Sequence, residues 1–167
     1  MLPDRLAPDA FAASPRVYEG TLALADMPRL APLLAAAEGD AWLQIAPGLD
    51  EHGRRHLEGR IEAAIPLTCQ RCLEPYRYPV AEAFSVVVVA SEAEGEGLPP
   101  ELEPYVSAGT VRPREVAEEE LLLALPAVTL HPAGACEPPA HDAEAQREAL
   151  SPFAALRGRV RSSEGAD

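Results

Sequence analysis

The sequence contains no lysine, and its fourteen basic residues, all arginine, stand against twenty-seven acidic ones. The formal net charge at pH 7 is therefore −13. Proteins that bind nucleic acid nonspecifically neutralise phosphates with a basic surface, so this composition argues against that class. An acidic protein can still reach RNA through a local arginine patch or through a basic protein partner, and ribosomal proteins have a suitable charge.

Long apolar runs are also missing. No stretch approaches the roughly 20 residues that a helix needs to cross a bilayer. The first five residues, from Met1 to Arg5, do not resemble the start of a signal peptide. We therefore expect a cytoplasmic protein without a membrane partner, in which the three cysteines are free or metal-bound rather than disulfide-bonded.

The sequence lacks the common catalytic motifs. There is no phosphate-binding glycine loop, no nucleophile elbow and no H-E-x-x-H, and the carboxylates are too scattered to form an acid–base pair. Thiol–disulfide exchange through Cys69 and Cys72 is an enzymatic alternative, but redox C-x-x-C motifs usually precede a helix, and a strand is predicted here. We expect no catalytic activity and no small-molecule substrate.

The most regular pattern lies at residues 54–89. Apolar residues alternate with polar ones from Leu57 to Leu67, and alternation resumes from Tyr76 towards the apolar residues 86–89. A period of two predicts half-buried strands. The short link between them holds Cys69-Gln70-Arg71-Cys72, so we predict a long hairpin whose tip presents two thiols.

The other patterns predict an α+β fold: a mostly antiparallel sheet with the long central hairpin, two main helices and an irregular C-terminal tail. Further strands are predicted at 16–24 and 40–46, helices at 27–37 and 113–125, and a solvated acidic loop at 91–97. We interpret the glutamates at 115 and 118–120 as a solvated helix face first, and as a docking surface for a basic partner second. The predicted domains are an irregular lead-in at 1–15, a single α+β domain at 16–136, and a proline-rich and acidic to arginine-containing tail at 137–167.

The thiols are the only residues whose spacing suggests a site. Cys69 and Cys72 have the spacing with which one tight turn supplies two thiolates to a zinc ion, and His131 with Cys136 is the obvious second pair. A structural zinc site made from these four residues would pin the hairpin tip to the segment after the second helix. The competing interpretation is that Cys69 is a core residue and that the other two thiols have no common role.

Five arginines are candidate contacts to RNA or to a partner. Two lie near the hairpin tip and three alternate in the tail: Arg71, Arg77, Arg157, Arg159 and Arg161. In the tail, Phe153 and Leu156 are candidate anchors, although a tail without fixed structure is the simpler interpretation.

Several strings resemble the YceD family, the large ribosomal RNA subunit accumulation proteins. They are C-Q-R-C-L-E-P at 69–75, E-E-E-L-L-L-A-L-P at 118–126, V-T-L-H at 128–131 followed by Cys136, and S-P-F-A-A-L at 151–156. Members of that family often carry a richer cysteine cluster after the L-P, where this chain keeps only His131 and Cys136. The resemblance implies a bacterial cytosolic protein without known catalytic activity, needed for accumulation or processing of large-subunit ribosomal RNA.

Pattern and resemblance together predict a noncatalytic ribosome-biogenesis factor whose partner is a large-subunit ribosomal RNA precursor or a basic ribosomal protein. The alternative is a zinc-stabilised protein-interaction module that binds a basic ribosomal or assembly protein and acts on RNA only indirectly.

Overall fold

The computed structural model describes residues 1–12 and 16–139. Five strands form one sheet in chain order: β1 (Tyr18–Ala23), β2 (Asp40–Leu49), β3 (Arg55–Thr68), β4 (Pro75–Val89) and β5 (Glu103–Val106). The α-helices are α1 (Asp9–Ala12), α2 (Glu92–Glu96) and α3 (Pro113–Ala124). Neighbouring strands from β1 to β4 are antiparallel, and β5 is parallel to β4. The predicted α+β class is confirmed.

The long hairpin is formed by β3 and β4, which stay paired from His56 with Val87 to Thr68 with Pro75. Alternation predicts this pair because successive side chains of a strand point to opposite faces, so one face turns to the core. Ile61 and Ile65 are fully buried on that face. The link at residues 69–74 therefore lies at the end of a rigid ribbon.

Helix α3 covers the core face of the sheet. Its buried side chains include Val116, Ala117 and Leu121, whose spacing places them on one helical face. Pro113 begins the helix, at a position where the missing N–H costs nothing. The prediction of a helix at 113–125 is thus confirmed within one residue.

The predicted helix at 27–37 is wrong. This part of the chain instead contains short 3₁₀ turns at Leu24–Asp26 and Ala31–Leu33. Pro28 and Pro32 provide no N–H, and the N–H of Ala35 donates to the Pro66 carbonyl of β3 at 2.8 Å. Some donors of this region are therefore absent or bonded to other segments, and the local bonds that remain form single turns rather than a continuous α-helical ladder.

Two further segments differ from expectation. Residues 91–97, predicted as a loop, contain α2, whose first turn is capped by the Ser91 side chain accepting from the Glu94 N–H. The lead-in predicted as irregular contains α1, and it contributes the buried side chains of Leu6 and Phe11 to the core. Leu6 also pairs with Val111 through two backbone hydrogen bonds, just before α3. The division into domains stays a prediction.

Among the described residues, no helix is long and apolar enough to cross a membrane.

Candidate metal centre

The hairpin link forms a compact turn that carries Cys69 and Cys72. The Leu73 N–H donates to the Cys69 carbonyl at 2.8 Å, and the Cys69 N–H donates to the Glu74 carbonyl at 3.0 Å. Leu73 has a φ of 65°, the left-handed conformation that lets the chain turn back sharply after the second cysteine. The turn brings both sulfur atoms to the same side, as the C-x-x-C spacing predicts.

The segment after α3 lies against this turn. Thr129 joins the two: its carbonyl accepts from the Gln70 N–H at 2.8 Å, and its hydroxyl donates to the Thr68 carbonyl at 2.7 Å. Two residues further on, His131 reaches the cysteines, and Cys136 follows. Backbone pairing thus places a segment about sixty residues away in sequence beside the hairpin tip.

The predicted ligand atoms of Cys69, Cys72, His131 and Cys136 all lie within 4.8 Å of one another. The sulfur atoms of Cys69 and Cys136 are 3.8 Å apart, and the Cys72 sulfur lies 3.3 Å from Nδ1 of His131. In a tetrahedral zinc site with Zn–S bonds of about 2.3 Å, neighbouring sulfurs are about 3.8 Å apart and a sulfur and a nitrogen about 3.6 Å apart. These two separations are close to those values, and the cluster has the donor set of a Cys₃His zinc centre.

Backbone donors around Cys69 favour its thiolate. The N–H groups of Arg71 and His131 each donate to the Cys69 sulfur at 3.4 Å. Burial by itself would raise the pKa of Cys69, but hydrogen bonds from the backbone of Cys72, His131 and Arg71 outweigh burial and lower this pKa to about 5. A thiolate is the form that binds metal.

The neighbouring sulfur atoms disfavour ionisation of the Cys136 thiol. Burial and the adjacent sulfurs of Cys72 and Cys69 raise the pKa of Cys136. Several thiolates cannot easily coexist at this distance without a positive charge, and a divalent cation would supply one. The guanidinium of Arg71 contributes some positive charge, since its NH1 lies 3.8 Å from the Cys136 sulfur.

Tyr76 lies beside the cluster, and the sequence did not identify it as a site residue. Its ring lies 4.8 Å from the ring of His131, centroid to centroid, and its buried hydroxyl has no hydrogen-bond partner among the described residues. Burial and the Cys69 thiolate raise the pKa of this phenol. In the sequence, the position of Tyr76 in the alternating pattern of β4 indicated only that it belongs to a strand.

The arginines predicted as contacts have different surroundings. Arg71 faces the cluster, whereas Arg77 lies on β4 and pairs with Glu38 at 2.9 Å. Arg157, Arg159 and Arg161, together with Phe153 and Leu156, lie outside the described residues. The contact role of the five arginines stays a prediction.

The fold and the cluster define a small α+β protein in which a long hairpin and a Cys₃His cluster that could hold a metal such as zinc join two distant segments. Residues 57–158 match the family described as "Large ribosomal RNA subunit accumulation protein YceD". A relative of that name from Haemophilus influenzae is 30% identical over 122 residues, which is 72% of this chain and 70% of the relative. The chain belongs to the YceD family, and the resemblance seen in the sequence is confirmed. No solved structure matches this chain.

Proposed function

We propose that this protein is a noncatalytic ribosome-biogenesis factor that supports the accumulation or processing of large-subunit ribosomal RNA in the bacterial cytoplasm. Membership of the YceD family carries this proposal, because the similar protein from Haemophilus influenzae is named for accumulation of that RNA. The described site also suits binding better than thiol–disulfide exchange, because the C-x-x-C is followed by β4 and not by the helix that is typical of redox motifs.

The proposal is tested in a bacterial strain that lacks this gene. Restoring the wild-type gene should restore the level of mature large-subunit ribosomal RNA, measured relative to small-subunit RNA by quantitative hybridisation. Unchanged RNA levels in the deletion strain would contradict the proposal.

We further propose that Cys69, Cys72, His131 and Cys136 bind one zinc ion that has a structural role. The four donor atoms support this, since they come from two segments whose contact otherwise depends on few hydrogen bonds. Protein purified without chelator should contain about one zinc per chain by elemental analysis. His131→Asn should lose zinc, while His52→Asn, an exposed histidine in the turn between β2 and β3, should retain it.

A second candidate function is supported by the excess of acidic residues: a zinc-stabilised module that binds a basic ribosomal or assembly protein and affects RNA indirectly. Crosslinking in growing cells separates the two candidates. If the protein acts directly, it should crosslink to precursor ribosomal RNA. The yield of crosslinked RNA should fall at higher salt and on substitution of Arg71, Arg77, Arg157, Arg159 or Arg161. Recovery of a basic protein without RNA favours the indirect role.

A further inference from the structure

A groove separate from the cysteine cluster lies between β5 and α3. Its volume is about 650 Å³, and it includes Val86 of β4 and Arg29 of the β1–β2 connection. Val86 is eleven residues along β4 from Pro75 at the hairpin tip, which corresponds to about 35 Å of extended strand. The groove and the candidate metal centre are therefore distinct surfaces.

The groove carries an excess of negative charge. Five glutamates and two arginines line it: Glu103, Glu115, Glu118, Glu119, Glu120, Arg29 and Arg114. Arg29 pairs with Glu118 and Glu119, and Arg112 pairs with Glu115. Within residues 1–12 and 16–139, Glu103 and Glu120 have no ion-pair partner.

The two unpaired carboxylates line the same groove and repel each other electrostatically. Burial and the carboxylates of Glu103 and Glu119 raise the pKa of Glu120 to about 7. Repulsion of this kind is relieved when a cation enters between the carboxylates. An anionic ligand such as an RNA phosphate would increase the repulsion, so the charge of the groove selects against RNA.

Apolar side chains accompany the carboxylates. Leu123 of α3 and Val106 of β5 are 62% and 49% exposed, and both line the groove with Pro104. An occupant that combines cationic with apolar side chains would cover this surface better than a simple metal ion.

The edge of β5 does not favour addition of another strand. The Ser107 N–H donates to the Val89 carbonyl of β4. Because the direction of backbone hydrogen-bonding groups alternates along a strand, those of residues 104 and 106 point away from β4. Position 104 is a proline and has no N–H to offer a partner strand. Recognition in the groove must therefore depend mainly on side chains.

We propose that this groove binds a basic segment of a partner protein, in which lysine or arginine side chains approach Glu103 and Glu120 and apolar side chains pack on Leu123 and Val106. The inference rests on the second candidate function and deepens it by locating the partner's binding surface.

The test uses the full-length protein and a short fluorescent peptide of alternating lysine and leucine, with binding measured by fluorescence anisotropy. The double variant Glu103→Gln/Glu120→Gln should bind the peptide about threefold to tenfold more weakly than wild type, since each exposed ion pair contributes modestly. The matched control Glu51→Gln/Glu82→Gln removes the same charge from exposed positions outside the groove, and it should bind like wild type.

A second variant protects the test against a folding defect. Leu123→Ala changes an exposed side chain, so it should weaken binding of the lysine–leucine peptide without lowering the melting temperature of the protein. Equal losses in the groove and control double variants, or equal affinity for a peptide of alternating glutamate and leucine, would overturn the proposal.

Ribosomal RNA levels are measured separately in cells that carry each variant. Normal RNA in the deletion strain contradicts the proposed function, whereas the peptide experiment alone decides whether the groove binds basic segments. The two failures are therefore distinguishable.

Discussion

Glu118 connects two segments that are nearly ninety residues apart in sequence. Its side chain is buried in α3, and one carboxylate oxygen accepts hydrogen bonds from the backbone N–H groups of Arg29 and Leu30. Our interpretation of the glutamates at 118–120 as a solvated face is wrong for this residue. Within a run of three glutamates the sequence could not show which one turns inward, because that depends on where the β1–β2 connection lies.

Replacing Glu118 with alanine should lower the free energy of unfolding by about 2–4 kcal/mol, because two backbone donors lose their acceptor and the Arg29 ion pair is broken. Glu119→Ala is the matched control, since Glu119 also pairs with Arg29 but has a side chain that is 43% exposed, and it should cost less than about 1 kcal/mol. Urea unfolding of both variants measures the difference. Equal losses in the free energy of unfolding would show that the buried position of Glu118 adds nothing to stability.

Glu120 should make stability depend on pH. Because its folded pKa of about 7 exceeds the ordinary value of 4.5, the folded state binds the proton more tightly. This contribution to stability is complete below the ordinary pKa and is lost as pH rises through about 7.

Glu120→Gln should therefore raise the melting temperature relative to wild type more at about pH 8 than at about pH 5. The exposed Glu82→Gln serves as the control and should show no such pH-dependent gain. Thermal unfolding at both pH values gives the comparison. A gain that is the same at both would contradict the raised pKa.

The four candidate ligands were predictable because C-x-x-C spacing is local and because His131 and Cys136 were the remaining soft donors near a helix end. Their approach was not predictable, since it depends on Thr129 bonding to Gln70 and Thr68. Tyr76 was missed because an aromatic residue in an alternating strand gives no separate signal.

At the scale of secondary-structure elements, the hairpin and α3 were predicted well because their apolar periodicity extends over many residues, despite the polar Glu82 within β4. The segment at 27–37 also has helical spacing of leucines, yet its prolines and its hydrogen bonds to β3 and Glu118 prevent a helix. Such bonds join distant parts of the chain, so local pattern cannot reveal them.

Gly59 controls the close packing of the central strands. It pairs with Phe84 across the hairpin, and a β-carbon at position 59 would overlap the Phe84 ring and come within 2.7 Å of the Gln44 carbonyl oxygen. The aromatic ring thus covers a site that only glycine leaves open.

Gly59→Ala should lower the free energy of unfolding by about 2 kcal/mol or more, because Phe84 and the backbone of β2 must shift. Gly48→Ala in β2 is the control, since a β-carbon there would meet no atom of residues 1–12 and 16–139 within 4 Å. Chemical denaturation of both proteins measures the contrast. A Gly59→Ala protein as stable as Gly48→Ala would show that the ring moves aside without cost.

At the scale of the whole molecule, metal binding should be coupled to stability. If zinc binds only the folded chain, removing it with EDTA should lower the melting temperature by about 5 °C or more. Cys69→Ser protein should show no comparable response to EDTA. Differential scanning calorimetry measures both, and an unchanged wild-type transition after verified zinc removal would contradict the coupling.

The distance in sequence between the two halves of the cluster also has a consequence during translation. Cys69 and Cys72 emerge from the ribosome long before His131 and Cys136, which are needed to complete the donor set. The hairpin can pair early, but if the cluster binds zinc, the four-ligand site can form only after position 136 has left the exit tunnel. Metal binding would then be a late event in biosynthesis, and it would close a loop that already contains β4, β5 and α3.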